Sequence, residues 1–350
     1  MKSTLKRIIK TTIFVAVVVG LLYSLQKASV QWETQTRLIQ TSLDEIDQAI
    51  SNATENRERE QLKSKRRELQ QNLPTLANLN WKNLALAAVT YAFGLLPAGV
   101  LLHLAVTSFG HRPNLSTSIA AHLLGHVGKY VPGKALVVIL RAGTLARSGV
   151  PLRDATVSIF METLMMMAVG GAISTFVVIW LPLPSWIIGL SLLAALASSL
   201  PTFPPIMHWL SKKVVKGKQA DHQKKLSDER EGSGWRLFLT GWILQLSTWV
   251  LIGLSFTLVI VAIPTSDPLP TPIQLYAIST AAISLAVVTG FASLLPGGAG
   301  VRELVLATVL GIMLSPAHGL IAAILVRLVH LSVEASCAGL SWIWLRSRSH

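Results

Sequence analysis

Cysteine is nearly absent. The single residue, Cys337, lies in an apolar run, so no intrachain disulfide can form and cysteine usage says nothing of the redox compartment. Charge is scarce as well, at 14% Asp, Glu, Lys and Arg, where a soluble chain averages about 25%. The familiar soluble-enzyme motifs also fail on inspection. Gly128 to Ala135 has the spacing of a phosphate loop, but Ala135 stands where Ser or Thr should meet magnesium, and Ala120 to Val127 reads as helix where the loop needs a strand. His122 and His126 are four apart, but Leu123 occupies the glutamate position of a zinc-protease helix. We read the two histidines as helix packing or interfacial placement, and expect no metal and no cofactor.

What remains is apolar. The chain of 350 residues is 51% hydrophobic with a mean hydropathy of +0.53, and its apolar residues come in runs of about 20, the length that crosses a bilayer core of roughly 30 Å. Runs lie at about 82–107, 154–181, 185–208, 236–263, 273–294 and 317–345. The net charge of +14 does not point to nucleic acid, because the basic residues cluster between these runs, as in cytoplasmic loops set against anionic lipid. The expectation is an all-α integral membrane protein, a polytopic helical bundle of about seven to eight spans.

Three regions are expected. Lys2, Lys6, Arg7 and Lys10 precede the run Ile8 to Leu25, which reads as an uncleaved signal anchor over 1–26 with the N-terminus inside a cell (inner) membrane. Residues 27–80 hold eight basic and eight acidic residues. Heptad-like spacing at Ile39, Leu43, Ile46 and Ile50, then Leu62, Leu69 and Leu76, predicts an extracytoplasmic helical hairpin or one long helix. This coiled-coil-like insertion could hold a protein partner or a second copy of the chain. Residues 81–350 form the membrane domain. Its loop 211–236, with eight Lys/Arg against four acids, is expected in the cytoplasm.

Two segments resist assignment as simple spans. In 118–151 and in 295–316, glycine, proline and charge interrupt apolar sequence. Non-helical backbone at membrane depth is tolerated only where protein buries it or water reaches it, and such breaks in both halves of a chain point to a transport site and a possible internal repeat. Arg302 and Glu303 follow Gly297-Gly298-Ala299-Gly300. A helix starting there would offer free N–H groups and a positive dipole end to an anion, although Arg302 and Glu303 could equally serve structural pairs. Glu162, Arg327 and Glu334 are ionisable residues inside spans and should each find a partner across helices, with Glu162 a candidate partner for Arg302 or Arg327. Met161, Met165, Met166 and Met167 read as packing or lipid contact.

Lys129-Tyr130-Val131-Pro132-Gly133-Lys134, Arg141, Gly149-Val150-Pro151 and Glu162 resemble the first signature of the lysylphosphatidylglycerol synthase transmembrane-region family, the flippase-like domain. Leu295 to Glu303, Gly311 and Arg327-Leu328 resemble its second. The resemblance covers roughly 82–345. Bifunctional members add a soluble aminoacyl-transferase domain, which these 350 residues do not contain, so lysyl transfer is not expected here, and the insertion 27–80 departs from the family pattern.

The resemblance implies a lipid transporter that handles an anionic lipid or lipid-linked headgroup. Lys129, Tyr130, Lys134, Arg141, Gly297, Gly298, Gly300, Arg302 and Arg327 would meet the headgroup, while Glu162, Glu303 and Glu334 would balance buried cations. Two other readings stand beside it. One is a non-transporting accessory protein that recruits a partner through 27–80. The other is a membrane-embedded transferase, which would need a carboxylate or histidine cluster.

Overall fold

The structure, a computed structural model, describes residues 36–53, 55–71, 76–130, 135–180, 184–206, 231–265, 268–293 and 295–348, with isolated positions 26, 30, 33 and 34. The expected anchor over 1–26 and most of the basic loop 211–236 lie outside the described residues, apart from position 26 and the segment from 231.

The described elements are all helical. Helix α1 covers 36–52 and α2 covers Asn56–Gln71. Arg66 of α2 reaches back to Asp47 of α1 at 2.6 and 3.2 Å, which sets the two arms side by side. The chain then enters the membrane domain through α3 (Trp81–Gly94) and α4 (Leu96–Thr107). These two form one 27-residue span, bent at Leu95 where Pro97 removes a backbone donor. Next come α5 (Leu115–Gly128), α6 (Ala135–Ala146), α7 (Leu152–Val178) and α8 (Ser185–Ser199). The second half is α9 (Glu231–Val261), α10 (Pro272–Ala292), α11 (Val301–Met313) and α12 (Pro316–Ser347).

Starts are marked by side chains that meet the unpaired first-turn N–H groups. Asn80 accepts from the Asn83 amide at 3.2 Å and Ser315 from that of His318 at 3.3 Å, while Pro272 and Pro316 open α10 and α12, where no N–H is needed. Among the described residues, six helical stretches are long and apolar enough to cross a membrane, and they match the six runs of the sequence. The protein is a multi-pass helical membrane protein.

Three helices are too short to cross alone. With 14, 12 and 13 residues, α5, α6 and α11 reach only about 18–21 Å. They belong to two hairpins that open on opposite ends of the bundle. The Asn80 amide bonds Ala262 O at 2.9 Å and His318 Nε2 lies 3.2 Å from Ile260 O, so the start of α3, the end of α9 and the start of α12 share one end. The pair His111–Asp154, at 2.8 Å, joins the α4–α5 turn to the start of α7 at the other. The α5–α6 hairpin opens on that second end and α10–α11 on the first. Their tips meet inside the bundle, where the Gly297 amide donates to Lys129 O at 2.7 Å.

Close helix approach relies on small residues facing large ones. Trp249 is fully buried over Gly170 and donates to Met166 O at 3.0 Å. Met165 and Met167 are buried in the same way, as packing.

Candidate functional site

Where the tips meet, ionisable side chains gather. Glu334, 18 residues into α12, would sit about 27 Å from that helix's first end and is 1% exposed. A carboxylate so deep needs several donors. Lys129 and Tyr91 both bond its Oε1, and Tyr130 donates to Oε2 at 2.7 Å. Tyr91 in turn stacks on His330, with centroids 3.6 Å apart. Tyr91 and His330 are partners that sequence reasoning missed. A tyrosine within the largely apolar run 82–107 was the available signal, since a buried hydroxyl must find an acceptor.

Glu162 of α7 is held by Arg141 of α6 at 2.7 Å, both side chains buried. This corrects the expectation that Glu162 pairs with Arg302 or Arg327. The hairpin folds α6 back along α5, and Gly125 lets the Arg141 stem lie against α5, so Arg141 reaches α7 first. Arg327 pairs with Glu303 at 3.2 Å and donates to Gly297 O at 3.0 Å. The other oxygen of Glu303 takes the Gly300 amide at 2.6 Å. That amide is therefore taken from the donors a helix start would offer an anion; a carboxylate three residues into a helix reaches back to its cap naturally. Glu303 and Arg327 act as a clasp on the glycine-rich turn, in which Gly297, Gly298 and Gly300 have φ of 57°, 66° and 84°.

Four cations thus meet three carboxylates: Lys129 with Glu334, Arg141 with Glu162 and Arg327 with Glu303. The fourth, Arg302, has no hydrogen-bond or ion-pair partner among the described residues. Its stem runs between Gly290 and Gly298; a Cβ on Gly290 would lie 2.5 Å from Arg302 Cγ. Lys134 lies outside the described residues.

Arg302 lines a cavity of 640 Å³ between the two hairpins and α7. Lys129, Arg141, Glu162, Gly297, Gly298 and both His122 and His126 share its wall. Most of its wall is apolar, and there Ile139 of α6 and Phe160 of α7 are 62% and 54% exposed. The histidines are 1% and 9% exposed, so they stand at the polar centre and not at an interface. Among the described residues no group of three or more His, Cys, Asp or Glu could hold a metal ion.

The sequence profile of the lysylphosphatidylglycerol synthase TM region matches residues 66–335. The chain belongs to that family. The match covers both hairpins and begins within α2, earlier than the resemblance suggested. No curated protein shows a significant match to the chain.

Proposed function

We propose that this family member is a flippase-like transporter of an anionic lipid or lipid-linked headgroup, seated in a cell (inner) membrane with its N-terminus in the cytoplasm. One observation carries the reading: Arg302, with no ion-pair partner among the described residues, lines a mostly apolar cavity that also holds a few charged groups and includes the exposed side chains Ile139 and Phe160. A headgroup would sit against Arg302 while its acyl chains leave past those side chains into the bilayer. A charge at membrane depth is costly unless something offsets it, and an anionic ligand would do so. The paired cations Lys129, Arg141 and Arg327 would shape the field of the cavity and hold the hairpin tips. No ATP motif survives in the sequence, so movement would follow a gradient or simple equilibration.

Arg302→Gln keeps hydrogen-bonding capacity and loses the charge. Losing a charge-assisted bond costs about 1.5–3 kcal/mol, so affinity for short-chain phosphatidylglycerol should fall roughly ten- to hundred-fold with little change in melting temperature. Inorganic phosphate, tested alongside, separates a headgroup site from a free-anion site: only the former loses affinity when the acyl chains are removed. Unchanged lipid binding by a folded Arg302→Gln protein would refute the reading.

The transferase reading gains one observation. Its acid–base residues are scattered in sequence, yet the fold gathers Glu162, His122, His126 and Glu334 at one place. Formation of a new lipid product in liposomes, rather than movement of an unchanged one, would favour it.

A further inference from the structure

His122 and His126 form a link between the two deepest carboxylates. Their Nε2 atoms are 3.1 Å apart. On the outer sides, His122 Nδ1 lies 3.5 Å from Glu162 Oε1 and His126 Nδ1 lies 3.8 Å from Glu334 Oε1. Both Nδ1 atoms are buried without a hydrogen-bond partner. The row therefore has three gaps, each between two atoms that accept a proton when ionised or neutral. Two neutral imidazoles bring one N–H each, so two protons serve three gaps and one gap always sets lone pair against lone pair. A third proton fills the row and leaves one imidazolium between two carboxylates.

We infer that the His122–His126 pair is a single-proton site, loaded from water when an anion enters the cavity and emptied when the anion leaves. The coupling rests on the anionic-ligand reading above. Glu162 on α7 and Glu334 on α12 draw the proton in. Arg141 on α6 and Lys129 beyond α5 oppose it, but each is already bound to one of those carboxylates. Arg302 on α11 shares the cavity and opposes it too, until an anion neutralises it. From the other packed helices, His103 on α4 lies 3.3 Å from Ser118 Oγ. Tyr91 on α3 and Tyr130 are bonded to Glu334, Arg327 on α12 is held by Glu303, and His330 stacks on Tyr91 with Ser255 Oγ at 3.4 Å. The free energy of proton and anion binding must be reciprocal: whatever the anion adds to proton affinity, the proton adds to anion affinity. Histidine is the side chain suited to this near neutral pH.

The test uses the full chain in nanodiscs, with dioctanoylphosphatidylglycerol as probe and calorimetry in buffers of different ionisation enthalpy. About one proton should be taken up per lipid bound, and affinity should rise about tenfold per unit fall in pH until the pair is loaded. His122→Asn with His126→Asn should flatten that slope. A merely structural pair would change the melting temperature and leave the proton count alone. Lipid binding without proton uptake between about pH 5 and 8, or the same uptake in the double variant, overturns the proposal. If the probe does not bind, the transporter reading fails on its own, and infrared titration of the ligand-free wild type with ring-labelled histidine decides the proton site. That titration also serves if the double variant misfolds. One shared imidazolium that forms only as the pH is lowered below neutral supports the site; two independent ones, one already present at neutral pH without ligand, or none at any pH at which the protein stays folded, overturn it.

Discussion

The two hairpins make the same local contact and put it to different electrical use. In α5–α6 a glycine of the first helix, Gly125, takes the stem of an arginine from the second, Arg141; in α10–α11, Gly290 takes the stem of Arg302. Arg141 is 5% exposed and its guanidinium is paired with Glu162. The other arginine lines the cavity with no ion-pair partner among the described residues. Inverted pairs of broken helices meeting near the midplane are a recurrent transporter plan. The difference separates a cation paired inside the fold from one that the proposed function assigns to a ligand. A carboxylate is present on each following long helix, Glu162 on α7 and Glu334 on α12, but Lys129 and two tyrosines already occupy Glu334.

Breaking the paired side should have the largest effect on the fold. Arg141→Gln leaves Glu162 buried without its counter-charge, which costs about 3–5 kcal/mol when one partner of a buried pair is removed. Glu162→Gln added to it should recover much of the loss, because no buried charge then remains. Thermal unfolding in a mild detergent reads both. A small effect of Arg141→Gln alone would mean that water or lipid reaches Glu162, and the contrast with Arg302 would disappear.

The turn that positions Arg302 comes next. Gly298 has φ +66°, and a Cβ there would lie 2.9 Å from Gly290 Cα and 3.0 Å from the Arg302 stem. Gly298→Ala should therefore strain the turn by about 1–3 kcal/mol and push the guanidinium from its place. Lipid affinity should fall as it does in Arg302→Gln, but with a measurable loss of stability as well. Full lipid affinity in a stable Gly298→Ala protein would show that the glycine turn does not place the arginine.

Much of the membrane architecture was legible in the sequence. Runs of about 20 apolar residues are a strong one-dimensional signal, and each of the six runs from residue 82 onward became a helix. Glycine and proline breaks marked both hairpins, because backbone without helical bonds survives at depth only inside protein. Pairing was not legible. Which carboxylate meets Arg141 depends on how a hairpin folds against α7, and nothing in the spacing of residues 141 and 162 fixes that. The cluster of Glu334 with Lys129 and Tyr91 joins residues more than 200 positions apart, and the bridging role of His122 and His126 depends on it. Their four-residue spacing is visible in the sequence, but the facing carboxylates arrive from α7 and α12.

The smallest effect is expected from the region outside the comparison. The arms α1 and α2 are charged and largely exposed, although Ile46 of α1 is buried, and they are joined to each other by Arg66 and Asp47. The contacts that anchor the start of the bundle begin later, with Leu79 buried in the main core and the Asn80 amide bonded to Ala262 O. Replacing 35–75 by a short flexible linker removes the arms and keeps both anchors. Since changes away from buried features usually alter stability by no more than about 0.5 kcal/mol, the melting temperature and the affinity for short-chain phosphatidylglycerol should stay close to those of the parent. The family match, which begins at residue 66 inside α2, makes this a demanding test. Aggregation of the deleted protein in a detergent that keeps the parent monodisperse would make the arms part of the fold. A stable, lipid-binding protein that has lost a protein partner would instead leave transport to the two hairpins and recruitment to the arms.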